Sequence, residues 1–148
     1  YERNPDDPRI THAITLEVDQ YGNGLKSVAI AYPRRNLVYP EQGKTLITYT
    51  ENRVTNKPNE ETWYRIGVPI ETRTYELTGY SKTGTRFQLS DFVQPDPANL
   101  GEFVHIFDSE VNYEDQPTSG KQRRLIEQVR SRYRPNSQAN STDPTLLP

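Results

Sequence analysis

The sequence predicts a mostly β fold, either an antiparallel β-sandwich or a curved sheet segment of about seven strands, with one possible C-terminal helix. Three observations predict it. Apolar residues alternate with polar ones in several short runs; 12 prolines and eight glycines punctuate the chain; and ten tyrosines stand against four phenylalanines, a balance suited to half-covered strands. Tyrosine can pack its ring and keep its hydroxyl wet. The length of 148 residues suits one domain, since domains commonly run to ~100–200 residues. Hydrophobic residues make up only 32%, against a usual ~45–50%, and mean hydropathy is −0.94, so the expected core is thin.

Residues 1–9 hold Pro5, Pro8 and three acids and read as an extended lead-in. From Ile10 to Val18 the residues Ile10, His12, Ile14, Leu16 and Val18 share one face, the clearest strand in the chain. Gln20 to Gly24 supplies residues that tolerate positive φ, and Leu25 to Tyr32 resumes the pattern, which predicts a hairpin. Pro33 stops that ladder for want of an amide donor, and the connection 34–43 leads to a strand over Lys44 to Arg53. Trp63 to Val68 and Ile70 to Thr78 give two further β segments, with a bulge or an edge position expected at the intervening Pro69. Thr85 to Leu89 and Phe103 to Phe107 suit short strands. In Gln122 to Arg134, Leu125, Ile126, Val129 and Tyr133 recur at helical spacing, which favours a helix. The β-rich domain thus spans 10–134, and 135–148, rich in Asn, Ser, Thr and Pro, reads as a flexible tail. The absence of methionine, with Tyr1 first, suggests a piece of a longer protein.

The inventory of reactive groups is short. Without cysteine there is no disulfide, thiolate metal site or thiol nucleophile. His12 and His105 are the only histidines, both fall within strand patterns, and no Gly-x-Ser-x-Gly elbow accompanies them, so each reads as a packed or hydrogen-bonded side chain rather than a catalytic base. Asp108, Glu110, Asn112 and Glu114 alternate as the ligands of a calcium loop do. Tyr113 stands where such a loop needs glycine, however, and Ser119 where it needs a bidentate acid, so a solvated acidic segment is the plainer reading. Glu60 and Glu61 in a polar loop need not converge on a substrate.

Charge is uneven. Phe87 to Gly120 holds seven acids and no Lys or Arg, whereas Lys121 to Arg134 holds six bases and one acid. Because net charge is −2, the basic run reads as a solvated or intramolecularly paired face rather than a nucleic-acid footprint. No apolar run approaches the ~20 residues of a membrane helix. The sequon at Asn140 lies in the tail and carries little weight. No catalytic, cofactor-binding or metal-ligating residue is expected, and no cofactor.

Five blocks, in order, resemble one known family. They run Asp7-Pro-Arg-Ile-Thr-His-Ala-Ile-Thr-Leu-Glu-Val-Asp-Gln-Tyr-Gly-Asn, Leu25-Lys-Ser-Val-Ala-Ile-Ala-Tyr-Pro-Arg-Arg, Thr45-Leu-Ile-Thr-Tyr-Thr-Glu-Asn, Glu71-Thr-Arg-Thr-Tyr-Glu-Leu-Thr-Gly and Arg124-Leu-Ile-Glu-Gln-Val-Arg-Ser-Arg-Tyr-Arg. Together they resemble the middle-to-C-terminal region of the B component of bacterial Tc insecticidal toxin complexes, related to the Rhs/YD-repeat shell proteins. The resemblance implies a non-catalytic segment of a strand-lined shell that encloses a toxic enzyme. The implied partners are the C component and, through the rest of the parent, the pore-forming A component, with no nucleic acid and no direct membrane insertion. The implied location is secreted or extracellular. It also allows Gln122 to Arg134 to be extended in the parent shell, against the helical spacing. The chain shows neither the family's propeller nor YD repeats, and Gly24 stands where a larger apolar residue is expected. The other function the sequence supports is an autonomous β-sandwich that binds carbohydrate or protein through tyrosines and Trp63.

Overall fold

A computed structural model describes residues 5–61, 64–99 and 102–133; Trp63, Asn140 and the tail 135–148 lie outside them. Among the described residues eight strands form: β1 (Thr11–Val18), β2 (Gly24–Ala31), β3 (Leu46–Lys57), β4 (Arg65–Thr78), β5 (Val93–Pro95), β6 (Phe103–His105), β7 (Ser109–Val111) and β8 (Gln122–Arg130). Six make one sheet in the order β1-β2-β3-β4-β8-β7, and β5 pairs with β6 alone. Neighbours are antiparallel except β7, which runs parallel to β8. The mostly β expectation holds.

The first hairpin forms where alternation predicts it, with His12 opposite Ile30 and Ile14 opposite Val28. Asp19 closes its turn. Its carboxylate accepts the backbone N–H groups of Tyr21 and Asn23, both at 2.9 Å, and Gly22 takes φ +83°, a region open to glycine. The lead-in is anchored too: Asp7 is buried and its carboxylate accepts N–H from Arg35 at 3.0 Å and Asn36 at 3.2 Å. That clamp ties the segment before β1 to the connection after β2.

The two β segments expected around Pro69 merge into one long strand, β4. Arg53 pairs with Glu71 and Val54 with Pro69, which leaves Ile70 as the extra residue of a bulge. Since β8 ends opposite Glu71, Pro69 has no ladder partner on that side, where the Tyr133 hydroxyl donates to its carbonyl at 2.8 Å, a setting a proline tolerates.

Gln122 to Arg130 is a strand, which corrects the helix expected from its spacing. The cause is a second bulge. Leu125 pairs with Tyr75 and Glu127 with Thr74, so Ile126 is inserted between them, and the insertion displaces the later residues by one place. Of the four apolar residues that suggested a helix, Ile126, Val129 and Tyr133 are exposed. Leu125 alone packs against the core. The spacing therefore marks no buried stripe, and eight backbone pairings with β4 outweigh a weak local preference.

Register places Val28, Ile30, Ile47, Tyr49, Tyr75 and Leu77 on one sheet face, where they form the core with Phe87, Phe92 and Val93. The covering segment has little regular structure. Thr85 to Leu89, expected as a strand, consists of bends that run into a 3-10 turn at Leu89–Asp91, because Phe87 N–H is claimed by the Tyr32 hydroxyl at 2.9 Å and Asp91 takes the Gln88 N–H at 2.8 Å. With loops and two three-residue strands for its second layer, the molecule takes the curved-sheet alternative rather than a full sandwich. Along β1 to β4 the opposite face shows Thr11, Thr15, Ala29, Thr48, Thr50, Thr72 and Thr74, none of them buried.

Candidate functional site

Both histidines are hydrogen-bonded within the molecule. His12 Nδ1 lies 3.4 Å from the Tyr32 hydroxyl, the same hydroxyl that holds Phe87. His105 closes a buried chain. Tyr49 donates its hydroxyl to Glu51 Oε1 at 2.9 Å and sits 2.9 Å from His105 Nε2, so with its one proton given to Glu51 the phenol oxygen accepts from Nε2–H. Burial, with the Lys26 charge second, pushes the imidazole pKa down to about 4, and burial followed by the Glu51 charge pushes the Tyr49 phenol upward. Both shifts favour uncharged groups at neutral pH. Arg123 completes the network: its guanidinium reaches Glu51 at 3.1 Å and Glu110 at 2.8 Å, lying 4.6 Å from the Tyr75 ring and 4.3 Å from that of Phe107.

The alternating acids do not converge. Asp108 Oδ2 accepts the Lys121 N–H at 2.8 Å, Glu110 faces Arg123, and Asn112 donates to Asp115 at 2.8 Å. Among the described residues no three His, Asp or Glu side chains come together as metal ligands. The basic run is largely paired within the molecule. Arg124 reaches Glu76 at 2.5 Å and Arg130 reaches Glu71 at 2.6 Å.

Sequence reasoning missed the Glu71 site. Its side chain is 3% exposed, with Arg130 Nε and Gln128 Nε2 both 2.6 Å from Oε1. On the other side, Arg73 lies 3.1 Å and Arg53 3.6 Å from Oε2. The Arg130 hydrogen bond, then that of Gln128, holds the carboxyl down at about 2. Arg53, Glu71 and Arg73 come from adjacent strands, but Arg130 arrives only because β8 is extended. A helix there would have hidden the cluster.

Backbone exposure supplies the other notable feature. β1 is an eight-residue strand with a partner on one side only among the described residues. At the far side β7 pairs with Gln122, Arg123 and Arg124, and among the described residues the outer edge of β8 from Leu125 to Arg130 carries no strand. Unpaired N–H and C=O rows of this length are templates for another strand.

These edges belong to a chain whose first half has an identifiable counterpart. Residues 1–68 match the family described as the insecticide toxin TcdB middle/C-terminal region. Among solved structures, the Photorhabdus luminescens Tc holotoxin pore contains a chain similar to this one at 28% identity, with a TM-score of 0.41, over 51% of this chain and 4% of that one. No curated protein matches. The TcdB match bears out the resemblance read from the residues: the blocks beginning at Asp7, Leu25 and Thr45 lie inside it, and those at Glu71 and Arg124 beyond it. In structural terms the TcdB-like stretch holds β1, β2, β3 and the start of β4, from Arg65 to Val68. It includes the open β1 edge and ends before Glu71.

Proposed function

We propose that this chain is a non-catalytic wall segment of a Tc toxin-complex component, part of a strand-built shell that encloses and helps deliver a toxic enzyme. The observation that carries the reading is the pair of open edges flanking a TcdB-like sheet, since a wall made of continuous sheet needs strand pairing to pass from one segment to the next. The residue chemistry supports it. His105, Tyr49, Glu51 and Arg123 are consumed in holding the cover on the sheet, and on the threonine-lined face the acids Glu76 and Glu127 are engaged by Arg124 and by the Thr74 hydroxyl. In this reading the C component completes the shell, the A component is met through other parts of the parent, and the setting is secreted.

Sedimentation equilibrium on the 148-residue chain tests the proposal. The chain should self-associate, and Ile126→Lys with Val129→Lys, both on exposed side chains of the open β8 edge, should return it toward monomer. A compact monomer at every concentration would overturn the wall reading. The carbohydrate- or protein-binding alternative finds no support among the described tyrosines: Tyr21, Tyr39, Tyr64, Tyr113 and Tyr133 are exposed but stand in five separate segments, and the observed ring contacts join Tyr32, Tyr49, Tyr75 and Tyr80 to core aromatics or to histidine.

A further inference from the structure

One cluster is built beyond what the wall requires. Glu71 brings a single negative charge to three guanidiniums, so the group retains two positive charges. Only part of its donor capacity is used. Arg130 engages the carboxylate through Nε, leaving its two terminal nitrogens to solvent, and its side chain is 65% exposed. Arg53, 69% exposed, approaches Glu71 no closer than 3.6 Å, outside hydrogen-bonding distance. Imperfect alignment further leaves Glu71 Oε2 and Arg73 Nε, both shielded from solvent, without a hydrogen bond. A buried carboxylate gathers the three cations and hydrogen-bonds Arg130, while among the described residues the exposed arms of Arg53 and Arg130 keep donors to spare.

The geometry points to a docking site for an acidic polypeptide segment, whose carboxylates would bridge Arg53 and Arg130 beside Glu71. Guanidinium forks match planar carboxylates through paired N–H donors, and Arg130 already donates to the Glu71 carboxylate at 2.6 Å. The position agrees. Register puts Glu71 and Arg73 on the same sheet face as Tyr75 and Leu77, but beyond the end of the core cluster, so the covering segment leaves this end open. A nucleic acid fits less well, because a polyanion many residues long would meet a chain of net charge −2 around so small a patch. A peptide carboxylate needs only the local field.

The experiment is a titration of the full 148-residue chain with an octaglutamate peptide at low salt, repeated at high salt and with a single-stranded oligonucleotide of equal charge. Saturable binding to octaglutamate that weakens with salt is expected, with the oligonucleotide weaker. Arg53→Ala with Arg130→Ala removes exposed side chains and should lower affinity by about tenfold, the usual scale for hydrogen bonds to charged partners. Lys82→Ala with Arg86→Ala makes the same change of net charge elsewhere and should leave affinity unchanged. Equal losses in the two double variants, tighter binding of the oligonucleotide, or no binding at low salt would each overturn the assignment. Circular dichroism on both variants separates lost binding from lost fold. The wall reading is judged by sedimentation, independently of this titration.

Discussion

Asp19, Glu71 and His105 are held in their charge states by different forces, and each leaves a mark on stability as pH falls. The side chain of Asn23 above all, with Asn56 and backbone N–H groups, holds the Asp19 pKa at about 2 against an ordinary 3.8, and Glu71 stands at about 2 against 4.5. A depressed carboxyl contributes its full stability above its ordinary value and loses it as pH drops through the folded one. Acid destabilisation should therefore run from about pH 4.5 to 2, and Asp19→Asn should flatten that stretch of the urea-midpoint profile. His105, depressed from 6.5 to about 4, acts in the same direction at higher pH: the unfolded chain binds the proton first, so stability drains away as pH falls from 6.5 to about 4. His105→Phe should flatten this upper part while leaving the Asp19 and Glu71 window in place. Identical profiles for the variants and the parent would contradict the assigned hydrogen bonds. Glycines give a second test at this scale. A Cβ on Gly79, at φ +76°, would lie 1.9 Å from the Gly120 carbonyl oxygen, whereas one on Gly22, at φ +83°, meets nothing within 4 Å. Gly79→Ala should destabilise by about 2–4 kcal/mol through backbone collision and Gly22→Ala by about 1 kcal/mol through conformation alone, as read by chemical denaturation.

Strands were legible where the backbone is regular and obscure where it is interrupted. Alternation located β1 and β2 to within a residue or two, and Pro69 announced its bulge. β8 misled because inserting Ile126 converts a period of two into a helical-looking spacing, and its exposed edge applies no burial constraint that would expose the error. β5 and β7 are three residues long, too short to carry a period. The cover was unreadable as an element: the Phe87 N–H is held by the Tyr32 hydroxyl from far along the chain, and the Asp91 carboxylate takes the nearby Gln88 and Thr83 N–H groups in place of a strand partner. Such a cover should depend on its anchors more than on its backbone. Phe92, 1% exposed and 5.4 Å from the Tyr80 ring, should cost about 3–5 kcal/mol when changed to Ala, and hydrogen exchange should rise in β5 and β6 before it rises in β3 or β4.

Across the molecule, opposite charges that are separate blocks in sequence are interleaved in space. Among the described residues the acids of Phe87 to Gly120 and the bases after Lys121 form an ion pair at Arg123 and Glu110; Arg124 and Arg130 instead find Glu76 and Glu71 on β4. Sequence therefore showed that pairing was available without showing the partners, because partner choice depends on β8 lying beside β4. The same dependence hid the Glu71 cluster, whose four charged members come from three strands. Salt should weaken these ties unevenly. The Lys26–Glu17 contact at 2.6 Å, with both side chains about a third exposed, should be screened readily, while Arg123, enclosed by two rings, should not. Arg123→Met, which keeps much of the stem, should thus lower the urea midpoint at both low and high salt.

The short parallel strand β7 gives the open side of β8 a direction. It occupies the first three positions of that edge and leaves six, a ledge of about 20 Å at ~3.3 Å per residue, closed at one end. A strand sliding along a uniform edge could halt at any register. Here it meets a stop, so the length of the ledge limits how many residues can seat and the stop selects where the first one falls. The feature behaves as a shouldered joint, and the shoulder, rather than the affinity of the edge, would decide which neighbour fits.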